Sequence, residues 1–293
     1  MNLSKFILGT AQIGTIYGIS NSRKKQIGFS EIKKIIKKCK SVGIKDIDTA
    51  LSYNNDKILG KIGVNKFNVN SKVSIIKFKN KKNILEFYEK KIVNSLRLLK
   101  LKRFNSILIH NPDKFKKNIN SELIYRSLIK LKKKKLFKKI GISIYDFDQL
   151  KKLLKYYKFD IIQLPFNVFD QRLIDNNLIK KLQSQKIEIH VRSIFLQGLL
   201  LMNNEKIHKK FKKWKDIFKI WSKYTQNNKL IKLKTCVNFV KSYPEISKIL
   251  IGVNSVNDLV EINNIKFKKT KLPYFNFNKD KKLINPTYWK DLH

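Results

Sequence analysis

Cysteine, proline and glycine are scarce in this sequence, with 2, 5 and 10 residues in a chain of 293. Cys39 and Cys236 lie far apart, and no His, Cys and Asp residues have the spacing of a metal site. We therefore expect two free thiols, no disulfide and no bound metal. Long apolar runs are also missing: none approaches the roughly 18 residues that span a bilayer. The first residues lack the pattern of a signal peptide. A soluble, cytoplasmic protein without a membrane partner is expected.

Acidic residues and arginine are scarce as well. The chain has 65 Lys and Arg against 21 Asp and Glu, a net charge of +44, yet only six of the 65 are Arg. Such a charge can indicate a protein that binds nucleic acid or an anionic membrane. However, the lysines are spread over the whole chain, alanine occurs only twice, and Ile and Asn abound. This composition is typical of an AT-rich gene, and nucleic-acid binders usually favour Arg. We expect no specific nucleic-acid partner.

Short apolar runs alternate with amphipathic helical stretches from one end of the chain to the other. Eight runs are predicted as strands: Phe6–Gly9, Ile44–Asp48, Val69–Val73, Ser106–Ile109, Lys139–Ile144, Asp160–Leu164, Ile187–Ile194 and Lys248–Ile251. The predicted helices begin near the N-cap candidate Ser30 and continue with Lys57–Ile62, Ile84–Leu99, Ser121–Lys134, Phe147–Tyr157, Leu173–Gln183, Leu230–Tyr243 and Val256–Asn263. The stretch between the seventh strand and the helix near Leu230 is predicted to be irregular.

Alternating strands and helices predict parallel strands joined by right-handed crossovers. Eight such units in about 250 residues suit a closed (β/α)8 barrel, the TIM barrel fold of the α/β class, better than an open sheet. No linker rich in Pro, Gly or Ser divides the chain. We therefore predict one domain, 1–293, with the barrel at about 5–265 and a C-terminal tail at 266–293.

Polar residues at the carboxyl ends of the predicted strands are the candidates for chemistry, because active sites of such barrels lie there. Asp48, Lys72 and His110 come from three consecutive strands, and Tyr53 follows the first of them. A tyrosine acts as a general acid when its proton transfer is eased. Lys72 should lower the pKa of Tyr53, and Asp48 should hold Lys72 in place. His110 should either orient the substrate carbonyl or relay the proton.

The segments LGTAQIGTIYGISN, GIKDIDTALSYNNDKILG, NSKVS, LIHNPD, KIGISIYD and ILIGVNSVNDLVEI occur in this order from about residue 5 to residue 265. In order and spacing they resemble the aldo-keto reductase family. The resemblance implies a catalytic tetrad of Asp48, Tyr53, Lys72 and His110 and an NADP or NAD cofactor bound across the barrel mouth. It also implies that hydride passes from the nicotinamide to an aldehyde or ketone while Tyr53 protonates the carbonyl oxygen.

The resemblance further implies which residues hold the cofactor. Ser143 and Gln163 match positions that hold the nicotinamide carboxamide, and the loop after strand seven matches the pyrophosphate site. The turn before the last helix matches the site of the adenosine. The complete set of expected cofactor positions is Gly9, Thr10, Asp48, Ser143, Gln163, Arg192, Ser193, Leu196, Gln197, Gly252, Asn254, Ser255, Asp258 and Glu261.

Three positions depart from the family pattern. Ile144 stands where an Asn is frequent, and Arg192 stands where an aromatic residue commonly stacks on the nicotinamide. Asp258 stands where a basic residue commonly binds the 2′-phosphate of NADP. A carboxylate would repel that phosphate, so the choice between NADP and NAD stays open.

Several alternatives also stay open. The expected partner is a small carbonyl compound, with a sugar as one candidate, and the protein is expected to be a monomer or a small homo-oligomer. An apolar or sugar-stacking pocket is predicted from Tyr17, Phe166, Phe195, Trp214 and Trp221. The aromatic tail could cover the bottom of the barrel or close over the substrate. A cofactor-binding redox sensor or docking protein with little turnover is the alternative function, and polyanion binding is a third.

Overall fold

The computed structural model describes residues 3–13, 26–78, 83–110, 114–175, 177–270, 272 and 280–289. Eight parallel strands form a closed barrel in which each strand pairs with its neighbours in sequence and β8 pairs with β1. The strands are β1 Phe6–Gly9, β2 Asp46–Asp48, β3 Asn68–Ser74, β4 Phe104–His110, β5 Phe137–Ser143, β6 Ile161–Pro165, β7 Glu188–Arg192 and β8 Lys248–Ile251. The predicted (β/α)8 barrel is confirmed.

Helices cover the outside of the barrel. They are α1 Phe29–Ser41, α2 Asp56–Ile62, α3 Ile84–Leu99, α4 Ile119–Lys133, α5 Phe147–Leu153, α6 Arg172–Asp175, α7 Leu178–Ser184, α8 Lys215–Asn227, α9 Lys232–Lys241, α10 Val256–Asn263 and α11 Lys281–Ile284. Helix α1 shows the principle: Ile32, Ile35, Ile36 and Cys39 recur at helical spacing and are buried. Because these helices bury the outer face of the barrel, strands such as β1 and β6 are buried along their whole length.

Several predicted helix boundaries differ from the structure. Helix α1 begins at Phe29 with Gly28 as its N-cap, so Ser30 is not the cap. The predicted helix Leu173–Gln183 is two short helices, and Asn177 between them is left-handed, with φ of 50°. The predicted helix Phe147–Tyr157 ends at Leu153. Asparagine tolerates the left-handed conformation better than most residues, which gives a local reason for the break at Asn177.

The stretch between β7 and α9 is more regular than predicted. It contains three 3-10 turns, Leu196–Leu201, Asn204–Lys206 and Lys209–Trp214, followed by α8. The indole of Trp221, on α8, is buried and donates a hydrogen bond of 3.0 Å to the carbonyl of Leu200. An aromatic anchor inside the fold therefore orders this segment, and hydrophobic periodicity alone does not reveal it.

The interior of the barrel is polar at its amino end. Lys139 on β5 pairs with Glu188 on β7, and Lys248 on β8 pairs with Asp46 on β2 at 2.5 Å. Each pair joins two strands that are not hydrogen-bonded neighbours. The side chains therefore meet across the inside of the barrel, beneath the strand ends that carry the candidate site.

The described part of the tail lies at the carboxyl-end mouth. Trp289 is buried and packs edge-on against Phe211 at 5.0 Å between ring centroids. The indole of Trp214 donates to Asp280 at 2.8 Å, and Lys281 reaches Asp146, just after β5, at 3.2 Å. Of the two placements considered for the tail, these contacts favour the mouth. The aromatic residues Tyr274, Phe275 and Phe277 lie outside the described residues.

Candidate active site

A cavity of about 1090 Å³ opens at the carboxyl ends of the strands. Strand ends β1 to β8 contribute to its wall, and the segment between β7 and α9 closes one side. Volumes near the upper end of the usual range for ligand pockets suit an extended ligand. All four predicted catalytic residues line this cavity. The fold thus brings together side chains that are spread over 63 positions of the sequence between Asp48 and His110.

Asp48 and Lys72 form a buried ion pair beneath the cavity floor. Asp48 ends β2, Lys72 lies on β3, and the lysine ammonium donates to the Asp48 carboxylate and to the carbonyl of Thr49, the latter at 3.0 Å. Burial lowers the pKa of Lys72, and the charge of Asp48 opposes that shift. The predicted contact between Asp48 and Lys72 is therefore present, and its role in catalysis stays a prediction.

A chain of hydrogen bonds extends from this pair across the barrel. Gln163 on β6 donates from Nε2 to the second Asp48 oxygen at 2.8 Å, and its Oε1 accepts from Ser143 Oγ at 3.0 Å. Asp48 therefore has a partner on each of its carboxylate oxygens. Gln163 and Ser143 lie side by side in the register of β6 and β5, which explains their contact.

Tyr53 lies at the end of a 3-10 turn, Leu51–Tyr53, directly after β2. The next residue, Asn54, is left-handed with φ of 54°, and Asn55 then donates to the carbonyls of Thr10 and Ile13 at 2.9 and 3.2 Å. These bonds fix the turn against the start of the chain. The Tyr53 ring lies 5.7 Å from Lys72 Nζ and 6.2 Å, edge to face, from the ring of His110.

Tyr53 is strongly held in its protonated form. Burial raises its pKa above the usual range, the negative charge of Asp48 adds to the rise, and the Arg192 guanidinium opposes it. The prediction of a lowered pKa for Tyr53 is wrong, because burial of the phenol is the largest influence on it. A protonated phenol suits a group that donates a proton.

His110 is the last residue of β4 and is half-buried. Burial and the positive charges of Lys72 and Arg192 lower its pKa to about 3. The imidazole is therefore neutral at physiological pH. A neutral ring can donate one hydrogen bond to an oxygen in the cavity without adding a charge beside Tyr53.

Most of the expected cofactor positions line the same cavity. These are Gly9, Thr10, Asp48, Ser143, Gln163, Arg192, Ser193, Gln197, Gly252, Asn254, Asp258 and Glu261. Two do not. Leu196 is fully buried in the core, and the Ser255 side chain caps α10 by accepting from the backbone N–H of Asp258 at 3.2 Å. The backbone of the loop after β7 is unusual, since Ser193, Leu196 and Gln197 all have positive φ. Strain of this kind concentrates at functional sites.

The start of α10 carries acidic groups. The Asp258 carboxylate accepts from the backbone N–H of Asn254 and from Ser255 Oγ, both at 2.7 Å. The Glu31 carboxylate, from α1, accepts from the backbone N–H of Val256 at 2.8 Å. Donors that would otherwise be available to a phosphate at this helix end are therefore already satisfied by carboxylates.

Sequence reasoning missed several cavity residues and misplaced others. Gln12, Tyr145 and Lys232 line the cavity without a sequence signal that distinguishes them. Among the predicted aromatic pocket residues, Phe195 lines the cavity, whereas Phe166 and Trp221 are buried in the core. Trp214 donates a hydrogen bond to Asp280 and does not line the cavity, and Tyr17 lies outside the described residues.

In the part of the chain that the structure describes, no three His, Cys, Asp or Glu side chains are grouped to hold a metal ion. Cys39 and Cys236 are both buried free thiols, and burial raises the pKa of each to about 12. No described helix is both long and apolar enough to cross a lipid bilayer.

Comparisons with known proteins are consistent with this geometry. The model of the aldo/keto reductase family matches residues 5–275. A glycerol dehydrogenase from Gluconobacter oxydans has a similar structure, with 20% identity, 92% of this chain and 88% of that chain covered, and a TM-score of 0.68. An aldo-keto reductase from Bacillus halodurans, in its holo form, has 16% identity, 96% and 92% coverage, and a TM-score of 0.69. No curated protein sequence matches significantly. At these identities the two structures support the fold alone.

Proposed function

The chain belongs to the aldo/keto reductase family of oxidoreductases, which act on carbonyl compounds, and we propose that it reduces an aldehyde or ketone to an alcohol with a nicotinamide cofactor. In this proposal Tyr53 donates the proton and Asp48, Lys72 and His110 complete the site. The observation that carries it is the convergence of the four side chains in one cavity, with Tyr53 protonated between Lys72 and His110.

The composition of the cavity lining supports a dinucleotide as the cofactor. The lining includes the Ser143–Gln163 pair, residues of the loop after β7 and residues at the start of α10. Polar groups that could hold a carboxamide therefore share the cavity with Tyr53, and so do carboxylates that could hold a ribose. A reduced nicotinamide bound beside Tyr53 would supply the hydride.

The residues of the chain would handle the proton. A carbonyl oxygen placed between Tyr53 and His110 would accept a hydrogen bond from the phenol and one from the neutral imidazole. As negative charge develops on that oxygen, the phenol proton transfers to it and leaves a phenolate. Lys72, 5.7 Å from the Tyr53 ring, and Arg192 provide positive charge for that phenolate.

Asp48 would act through Lys72 rather than on the substrate. It keeps the ammonium charged in a buried position, where burial alone lowers its pKa. Gln163, which would orient the cofactor, and Lys72, which would support Tyr53, both donate hydrogen bonds to Asp48. The positions of Gln163 and Lys72 therefore depend on each other.

The test follows the absorbance of the reduced nicotinamide during incubation with aldehydes, ketones and sugars, with NADH and NADPH in parallel. We expect turnover by the wild-type protein and a loss of at least 100-fold in Tyr53→Phe, since general acid catalysis typically contributes 10²–10⁴-fold. Tyr156→Phe is the matched control, because Tyr156 is exposed on the outer surface.

Cofactor binding is measured separately by quenching of tryptophan fluorescence. Tight binding without turnover of any substrate would favour the redox-sensor or docking function instead. Absence of binding to both cofactors would contradict the proposal.

A further inference from the structure

Arg192 is a cation at the cavity wall that forms no ion pair with any described residue. It ends β7, and its guanidinium lies 3.8 Å from the centroid of the Tyr145 ring. It also lines the cavity that contains Tyr53 and His110. Among the residues that the structure describes, no carboxylate lies within ion-pair distance of it. The buried Asp170 carboxylate is close enough to feel the charge of Arg192, but its ion pair is with Arg172.

The hydrogen bonds of Arg192 are also incomplete. A guanidinium carries five N–H donors. Nη2 donates to the carbonyl of Ile144 at 3.2 Å, and Nη1 makes only a long contact of 3.5 Å to Ser193 Oγ. Nε is buried and has no acceptor among the described residues. Leaving a buried donor and a partly buried charge without partners is costly. Such a group is stabilised when a ligand supplies the missing acceptors and the opposite charge.

The neighbouring cation is not available for that purpose. Lys72 is balanced by Asp48 and donates to the carbonyl of Thr49 as well. Arg192 is therefore the group that makes the cavity beside Tyr53 electropositive, and its charge lowers the pKa of Tyr53, Lys72 and His110.

We infer that Arg192 binds a carboxylate of the substrate, so that the natural substrate is a carbonyl compound that also carries a carboxylate. The inference rests on the proposed function of the site. A carboxylate fits because its two oxygens match the parallel N–H groups of a guanidinium and its single charge matches that of Arg192. A doubly charged phosphate would call for a second free cation. Of the other two cavity lysines among the described residues, Lys72 is paired with Asp48, and Lys232 donates to the Met202 carbonyl and to Ser222 Oγ.

The stack on Tyr145 fixes the plane of the guanidinium. One face is covered by the ring, so a ligand would approach its edge, where the N–H groups point. This arrangement selects a planar acceptor at a defined angle. It would hold the carboxylate to one side of Tyr53 and leave the carbonyl group free to reach the phenol.

The first test measures binding without turnover. Benzoate and benzamide have nearly the same shape and differ in charge, and each is titrated calorimetrically into the protein saturated with NADH or, in a parallel series, with NADPH. We expect benzoate to bind more tightly than benzamide to the wild-type protein. In Arg192→Gln the Kd for benzoate should rise about 10- to 100-fold, as for loss of a charge-assisted hydrogen bond, with little change for benzamide. Work at about 0.15 M salt screens the many surface lysines.

Arg103→Gln is the matched control, because Arg103 is exposed and precedes β4 at the opposite end of the barrel. Like Arg192→Gln, it lowers the net charge of the protein by one, but it should leave the affinities for benzoate and benzamide unchanged. Tyr53→Phe should also keep benzoate binding. Binding and turnover together separate the two proposals. If the wild-type protein shows no turnover but its benzoate binding depends on Arg192, the carboxylate site stands and the proposed reaction fails.

The second test uses 4-carboxybenzaldehyde and 4-nitrobenzaldehyde as substrates. We expect Arg192→Gln to raise KM for the carboxylate compound selectively, whereas any loss of kcat through the Tyr53 phenolate should be the same for both aldehydes. Equal rises of KM with both aldehydes would overturn the inference. A further titration uses the cofactor-free protein. Benzoate binding that is present there and lost with both cofactors would assign Arg192 to the cofactor, and tighter binding of inorganic phosphate than of benzoate would reject the carboxylate.

Discussion

Gln163 on β6 donates a hydrogen bond of 2.8 Å to the carboxylate of Asp48 on β2, across the inside of the barrel. The same carboxylate accepts from Lys72 through its other oxygen. Asp48 therefore connects two parts of the cavity: the pair Ser143–Gln163, expected to hold the cofactor, and the lysine beside Tyr53. Substitutions at Asp48 should therefore affect both the Ser143–Gln163 pair and the lysine beside Tyr53.

Replacing Asp48 by Asn should damage stability as well as turnover. The substitution leaves the Lys72 ammonium buried without its counter-charge, and breaking a buried pair typically costs about 3–5 kcal/mol. The pKa of Lys72 should fall further, because the charge of Asp48 now opposes the lowering by burial. Denaturant unfolding and kcat/KM measure the two effects. Asp148→Asn, which affects an exposed residue, is the control; an unchanged stability of Asp48→Asn would contradict the pairing.

The low pKa of His110 should make folding stability depend on pH. In the unfolded chain a histidine binds its proton near pH 6.5, whereas His110 in the folded protein does so only near about 3. Between these values the unfolded state binds more protons, so stability falls as pH is lowered from about 6.5 towards about 3. His110→Asn should remove this part of the pH dependence. Urea unfolding at a series of pH values checks it, with His208→Asn as the control, since that residue lies in the 3-10 turns after β7.

The pH profile of turnover should be flat around neutrality. Tyr53 has a raised pKa and His110 is already neutral, so neither changes its protonation between about pH 6 and 9. A decrease in kcat/KM is expected only at higher pH, where Tyr53 begins to lose its proton. A bell-shaped profile with an acid limb near pH 6.5 would instead indicate that a histidine titrates in the free protein.

The acidic start of α10 should make the protein prefer NADH. Glu31 and Asp258 accept from the backbone N–H groups of Val256 and Asn254, and Glu261 lines the same end of the cavity. A 2′-phosphate would meet negative charge there. We expect NADH to bind at least about tenfold more tightly than NADPH, a difference of about 1.4 kcal/mol. Fluorescence titration measures both affinities.

Glu31→Gln should reduce the preference for NADH over NADPH, because it removes one negative charge while keeping a hydrogen-bond acceptor. Glu86→Gln, an exposed change on α3, should leave the ratio of affinities as it is. Equal affinity for the two cofactors in the wild-type protein would show that nearby lysines outweigh the carboxylates.

Gly60 on α2 should not tolerate a side chain. A Cβ at this position would lie 1.9 Å from the carbonyl oxygen of Leu98, at the end of α3. Because the clash is with backbone, the helices must separate, and overpacking of this kind costs about 1–3 kcal/mol. Gly60→Ala should lower the free energy of unfolding by at least that amount. Gly28→Ala, where a Cβ meets nothing within 4 Å, is the control and should cost less than about 1 kcal/mol.

The barrel and its strand order could be predicted because each element has its own local signal. The helix at Ile84–Leu99 and the strand at Lys248–Ile251 were predicted with the bounds that the structure shows. The candidate site followed from the same reasoning, since polar residues at strand ends must share one mouth. Helix α8 was not predicted, because what orders it is a buried contact of Trp221 with a distant carbonyl.

Electrostatics was the least predictable part of the site. The sequence predicts that Asp48 holds Lys72 near Tyr53, but only the structure shows that burial dominates the pKa of the Tyr53 phenol. Likewise, the sequence places Glu31 on α1, and no local pattern reveals that its carboxylate reaches the start of α10. Such contacts depend on how distant elements pack, so they carry no signature at fixed spacing.

The ion pairs at the amino end of the barrel have a consequence for how the fold comes apart. Lys139 with Glu188 and Lys248 with Asp46 join strands that are not neighbours. Detaching β7, for example, would break its hydrogen bonds to β6 and β8 and also remove the ion-pair partner of Lys139 on β5 at the amino end of the barrel. Fraying of one strand is therefore coupled to loss of interactions on strands that remain. We expect the barrel to open in a single concerted transition, and local exchange of its interior amides with solvent to report that global event.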